Sequence, residues 1–220
     1  MIDFLTRIRE AIRFKLYLPA RYLSSLLVDW YYGIDTEKTI KQKALGFSED
    51  IGEKYESTPT SEFKKIIQAL TISRNDVLLD MGSGKGKVLI LAGKYGFKKV
   101  IGVDISEKIN RIAQENIKKM KPKLVCKEYQ VLTSNASTFE IPIDVTHIYF
   151  FNPFPYKVME AVMIQIKKST AMFYRPITLV YYNPKHAEKL ECDWTLKKIK
   201  ELLFKHYGLY KSRCNIYLIS

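Results

Sequence analysis

Cysteine and histidine are scarce in this chain, with three of each. Cys126, Cys192 and Cys214 are odd in number, and no Cys-x-x-Cys or Cys/His ligand spacing occurs. That leaves no basis for a disulfide framework or a zinc site, and the expectation is a reducing cytoplasm and no metal. His147 lies inside an apolar run and reads as a hydrogen-bonded core residue rather than a base. Arginine is also sparse, 8 residues against 28 lysines. The net charge of +13 suits a nucleic acid, a membrane surface or an acidic partner. Arginine, however, is the better reader of bases and phosphates. The lysines are spread along the whole chain, so a compositional bias explains the charge equally well. No apolar run reaches membrane-crossing length, and charges interrupt every apolar run near the start, so no secretory signal is expected.

What is present is a chain of 220 residues, long enough for one α/β domain with a sizeable core. Its organising stretch is Val77 to Asp104. Val77-Leu78-Leu79-Asp80-Met81 is a short apolar strand with an acid near its end. Gly82-Ser83-Gly84-Lys85-Gly86 is a glycine-rich turn, and Val88, Leu91, Ala92 and Tyr95 follow at helical spacing. Val100 to Val103 is a second strand that ends in Asp104. Such a βαβ unit binds a nucleotide-like cofactor at its carboxyl edge.

Small departures select the cofactor. A dinucleotide fingerprint places its third glycine where this chain has Lys87. A phosphate loop wants four residues between its glycines and then Lys and Ser/Thr; here Gly82 and Gly86 enclose three, and Val88 follows Lys87. Asp80, two residues before the turn, would repel a pyrophosphate and attract a cation. S-adenosyl-L-methionine, with its sulfonium and ammonium groups, is such a ligand. Gly82, Gly84 and Gly86 let the backbone approach it, flanked by Ser83. Asp104 can accept both ribose hydroxyls, with Ile105 next to it.

A second informative stretch follows the apolar run Val145 to Phe151. Asn152-Pro153-Phe154-Pro155-Tyr156 falls where a central parallel strand meets the ligand crevice. Asn152 and the carbonyl held by Pro153 offer fixed acceptors for N–H donors, and Phe154 offers a flat surface. This suits an amine that presents one lone pair in line with a methyl group.

The set Asp80, Gly82, Gly84, Gly86 and Asp104 resembles motif I and the second-strand acid of class I S-adenosylmethionine-dependent methyltransferases. The FNPF run resembles the (Asp/Asn)-Pro-Pro-(Tyr/Phe) motif of amino-group methyltransferases, with Phe154 in place of the second proline. It also resembles the Asn-containing loop of Dot1-type lysine methyltransferases. Tyr32-Gly33-Ile34-Asp35-Thr36, Tyr55 with Thr58-Pro59, and Tyr182-Asn183-Pro184 complete the likeness to a bacterial group of unassigned substrate. The resemblance implies an α/β, Rossmann-like seven-stranded sheet of order 3-2-1-4-5-7-6, strand 7 antiparallel, with helices on both faces and an N-terminal helical extension. It implies a helical extension and cofactor lid over residues 1–60 and a methyltransferase domain over 61–220. Within the lid, Tyr55 and Thr58 are the residues expected to touch cofactor. Asn135, or else Ser134 or Ser137, stands where the family places an acid that holds the adenine amine.

Residues 1 to about 30 carry apolar positions at helical spacing with Arg7, Arg9, Arg13, Lys15 and Arg21 on the other faces. A basic amphipathic helix suits an acidic partner or an anionic membrane surface, or else packs its apolar face on the domain. Further expectations are a helix from Glu62 to Leu70 capped by Thr60 or Ser61, and one from Ser106 to Met120. A third strand is expected from Leu124 to Val131, a helix from Glu160 to about Lys168, a strand from Ile177 to Tyr182, and a C-terminal antiparallel pair joined through His206 to Arg213. The methyl acceptor is open among protein lysine, nucleic acid and a small metabolite or glycan, with lysine narrowly ahead. A reading of another class is a cofactor-binding or RNA-binding module without chemistry of its own.

Overall fold

A computed structural model describes residues 25–37, 57–151, 154–206 and 210–219. Helix α1 covers residues 25–32. There follow α2 (Thr60–Gln68), β1 (Val77–Met81), α3 (Lys87–Ala92), β2 (Lys99–Asp104) and α4 (Glu107–Met120). Then come β3 (Glu128–Thr133), β4 (His147–Phe151), α5 (Tyr156–Met172) and β5 (Ile177–Tyr182), and finally α6 (Ala187–Asp193), β6 (Lys197–His206) and β7 (Tyr210–Ile219). One seven-stranded sheet runs in the order β3-β2-β1-β4-β5-β7-β6. Strand β7 is antiparallel to both β5 and β6, and the pairs from β3 to β5 are parallel. The expected topology is therefore the observed one.

The alternation within each strand divides the core in two. Leu78, Val100, Tyr149, Val180 and Ile216 face helices α2, α3 and α4 through Phe63, Leu89 and Ile117. Leu79, Ile101, Ile148, Leu179 and Tyr217 face α5 and α6 through Met159, Val162, Ile166 and Leu190. Burying both sheet faces is what makes the central strands read as unbroken apolar runs. His147 is buried in this core, with its Nδ1 2.9 Å from Thr146 Oγ1. Arg175, one of the few arginines, is a core strut whose guanidinium donates to the carbonyls of Val145, Ser169, Phe173 and Pro142.

Four expected boundaries are corrected. Helix α2 begins at Thr60 on an N-cap of Pro59, and neither Thr60 nor Ser61 caps it. The Pro59 carbonyl itself accepts from Glu62 N and Phe63 N. Strand β3 starts at Glu128, not Leu124. The backbone N–H groups of Val125 and Cys126 both donate to Gly93 O, so this segment is held against the end of α3 until pairing with Lys99 begins. Helix α5 starts at Tyr156, because the Pro155 carbonyl receives Val158 N and Met159 N. The C-terminal strands run longer than expected, β6 to His206 and β7 from Tyr210.

Gly102 of β2 shows how tightly this face is filled. A Cβ there would lie 2.6 Å from Leu89 Cδ1 and 2.7 Å from Ser83 Oγ. Gly102→Val is expected to cost about 1–3 kcal/mol through overpacking, seen as a lower urea midpoint at an unchanged m-value.

Candidate active site

The site forms where β1 and β2 end. Between β1 and α3 the chain reverses through three left-handed glycines, Gly82 (φ 82°), Gly84 (φ 50°) and Gly86 (φ 78°). Only glycine adopts this conformation without strain. At Gly86 a Cβ would also press within 3.1 Å of Ala113 Cβ on α4. The turn is tied to β2: Gly82 N and Ser83 N both donate to Val103 O, at 2.8 and 3.0 Å. Asp104 Oδ2 accepts from Gly84 N at 3.1 Å, and Oδ1 accepts from Ser106 N at 2.9 Å. Two lone pairs of Asp104 are thus fixed by backbone and the others remain for a ligand. Ser106 in turn caps α4. Asn110 of α4 donates to Asp104 O, Leu132 O and Thr133 Oγ1, holding the ends of β2 and β3 together.

Asp80 is 3% exposed, and no donor among the described residues reaches its carboxyl group. Burial, together with the nearby Asp104 carboxylate, pushes its pKa well above the usual carboxylate range. Burial also raises Asp104, against the backbone N–H groups that hold it down. The register partners of Asp80 are Gly102 and Tyr149. The Tyr149 hydroxyl lies 3.1 Å from Thr58 Oγ1, and Thr58 is buried. Ser83 is buried and its Oγ has no partner among the described residues. Ile105 is exposed at the rim.

The remaining candidates divide. Asn135 is exposed, and its Oδ1 already accepts from Ser137 N at 3.0 Å and Ser137 Oγ at 2.8 Å. Phe154 is half-buried and packs on the core face formed with α5. Tyr55, Asn152 and Pro153 lie outside the described residues. Among the described residues no cluster of His, Cys, Asp and Glu is able to hold a metal.

The sequence reading missed what the two lysines of the turn do. Lys85 is 1% exposed and meets both carboxylate oxygens of Asp35 at 2.8 Å. Lys87 is buried against Glu37, which is buried in turn. Asn116 of α4 stitches the same joint: its Oδ1 accepts from Asp35 N, and its Nδ2 donates to Asp35 O and Lys85 O. Asp29 caps the other side, accepting from Thr36 N, Thr36 Oγ1 and Glu37 N. The segment 29–37 is therefore latched to the glycine turn, and both lysines point at carboxylates rather than into the cleft. The available signal was the matched spacing, two acids two apart and two lysines two apart. The charge left at the cleft is that of Asp80 and Asp104, which is the wrong sign for a phosphate and the right sign for a cation.

A family model described as a methyltransferase domain matches residues 78–169. Over 66 residues the chain is 33% identical to a protein-lysine N-methyltransferase of Saccharolobus islandicus, covering 30% of this chain and 41% of that one. Over 85 residues it is 28% identical to a ribosomal protein L11 methyltransferase of Thermotoga maritima, covering 39% and 32%. The matched stretches thus span less than half the length of either relative. Among solved structures, an RNA methyltransferase from Salinibacter ruber in complex with S-adenosyl-L-homocysteine superposes with a TM-score of 0.52 at 16% identity, over 74% of this chain and 92% of that one. At that identity the likeness establishes the fold.

Proposed function

From a chain that carries a methyltransferase domain on the class I fold, we propose an S-adenosylmethionine-dependent enzyme that methylates an amine nitrogen, with protein lysine the leading acceptor. The observation that carries the cofactor is Asp80, a buried carboxyl with no donor of its own beside a left-handed glycine turn. A buried ionised group without a partner is costly, and a cationic ligand relieves that cost. When bound, S-adenosylmethionine supplies an electrophilic methyl group carried on a sulfonium.

The residues of the chain do the rest. Asp80 neutralises positive charge at the methionine end. Asp104 accepts the ribose hydroxyls on the lone pairs that Gly84 and Ser106 leave open. Tyr149, whose hydroxyl meets that of Thr58, stands beside Asp80 in the sheet. Asn152 and the Pro153-fixed backbone accept hydrogen bonds from the acceptor amine and aim its lone pair. Phe154 forms the apolar wall behind them. An amine that arrives neutral needs no strong base, and the proton of the product ammonium leaves to solvent.

Two supports favour an amine over other acceptors: the Asn-Pro pair at the end of a central strand, and the protein-lysine N-methyltransferase among the relatives. The test is incorporation of tritiated methyl from labelled cofactor into fractions of a cell lysate. Label is expected in protein, released as methyl-lysine on hydrolysis. Asn152→Ala is expected to bind cofactor unchanged and to lose at least a hundredfold in transfer. Label in RNA or in small molecules would replace the lysine assignment. Tight cofactor binding with no label anywhere would leave a module without chemistry.

A further inference from the structure

We propose that the outer face of α1 and the lysine-rich end of α4 form a docking surface for an anionic lipid bilayer. Helix α1 is built the wrong way round for a helix that only packs on a domain. Its apolar residues Leu27, Val28, Trp30 and Tyr31 are 51–80% exposed, while Asp29 is buried. At ~100° per residue these four positions cover an arc of about 160°. The opposite arc carries Asp29 and Tyr32, and Tyr32 packs on the core. Trp30 and Tyr31 therefore do not cement the helix to the body, as an aromatic patch there would.

What surrounds the patch identifies its occupant. Lys118, Lys119, Lys121 and Lys123 are all exposed at the end of α4 and in the turn that follows. Lys123 Nζ sits 5.8 Å from the Tyr31 ring centroid and 4.2 Å from that of Tyr32. Lys119 Nζ donates to Gly33 O at the end of α1. Aliphatic side chains flanked by Trp, Tyr and lysine are the composition of a membrane–water interface. The rings sit at headgroup depth, Leu and Val reach the acyl boundary, and the ammonium groups meet lipid phosphates. RNA fits less well, because it offers nothing to Leu27 and Val28 and is read better by arginine. Among the described residues no helix is long and apolar enough to cross a membrane. Helix α4 starts beside Asp104 at the cofactor edge and runs back to the opposite edge of the sheet. The patch lies at its far end, next to the segment 29–37 that is latched to the glycine turn. The proposal does not rest on the identity of the methyl acceptor.

The test is sedimentation of the full chain with vesicles of phosphatidylcholine alone or mixed equally with phosphatidylglycerol, read together with tryptophan emission. Binding to the anionic vesicles with a blue shift is expected, along with little binding to the neutral ones and loss at high salt. Trp30→Phe is expected to keep binding and lose the shift, since Trp194 is already partly buried. Trp30→Ser/Tyr31→Ser is expected to weaken binding at least tenfold. Lys119→Glu/Lys121→Glu/Lys123→Glu is expected to weaken it on the order of a hundredfold, about fivefold or more per lysine. Unaltered melting and cofactor titration of the variants show that the fold is intact. Any of four results would overturn the proposal: no sedimentation, equal binding to both vesicles, an unshifted emission in protein that does pellet, or a concentration-dependent dimer that Trp30→Ser dissolves. The last would make a second copy the occupant.

Discussion

Asp80→Asn is expected to melt higher than the wild-type protein. The gain at neutral pH is about 1–2 kcal/mol, the usual scale for relieving a poorly satisfied buried polar group. In a domain of this size that is a rise of about 3–6 °C. The reason is the position of Asp80, buried in the sheet between Gly102 and Tyr149 with Asp104 nearby and no donor among the described residues. Its raised pKa fixes the pH dependence. Below the ordinary carboxylate value of about 3.9 both folded and unfolded states hold the proton, and the charge costs nothing. As pH rises the unfolded state ionises first, so the wild-type protein loses stability until pH passes the raised folded value. The advantage of Asp80→Asn should therefore grow with pH from near zero in acid and then level off. Thermal unfolding at a series of pH values measures this. An advantage that shrinks as pH rises would mean that the carboxylate is stabilised in the fold, contrary to its surroundings. The variant should gain stability as it loses the cofactor, since a group kept at a cost to the fold is kept for its ligand.

Glu37→Ala is expected to lose about 3–5 kcal/mol, the scale for breaking a buried ion pair and leaving one charge behind. Lys87 and Glu37 are both buried, and their contact joins the N-terminal segment to the first turn of α3. Once Glu37 is removed, the Lys87 ammonium either stays buried and unpaired or pulls free, undocking residues 29–37 from the glycine turn. Glu37→Ala/Lys87→Met should recover most of the loss, because no charge is left unpaired where the pair stood. Urea unfolding gives both numbers, and a cycle in which the double variant is as unstable as the sum of the singles would deny that the pair acts as a unit. Cofactor affinity should fall with Glu37→Ala and not fully recover in the double variant, since the Lys87–Glu37 half of the latch is gone in both.

These two predictions differ in how much of their basis the sequence exposes. Asp80, the glycine turn and Asp104 lie within one βαβ unit, so their placement follows from local strand and helix periods. The sheet order follows from the resemblance carried by the same unit. The latch is different: Lys85–Asp35 and Lys87–Glu37 each span fifty residues. Nothing in the local pattern of either segment says where the other docks. Strand β3 starts later than its apolar run suggests for a related reason. Leu124 to Cys126 is apolar enough for a strand, but Gly93 O captures its backbone donors first. At α2 the Pro59 carbonyl stood in for a side-chain cap, and at α5 the Pro155 carbonyl starts the helix one turn before Glu160. In the tail, Leu196, Ile199, Leu202 and Leu203 fit helical spacing too, and only pairing with β7 resolves Lys197–His206 as strand, with Leu196 just before it. The exposed side of α1 was hidden because an apolar run is the same in sequence whether it meets a core or a bilayer.

The central claim is that Asp80 selects a cationic methyl donor. Its most direct test is a calorimetric titration of S-adenosylmethionine into the wild-type protein and into Asp80→Asn, both confirmed to unfold cooperatively. One saturable site is expected in the wild-type protein, with an affinity that rises with pH as Asp80 gives up its proton. No measurable heat of binding is expected in the variant. Equal affinities in the two proteins would contradict the claim.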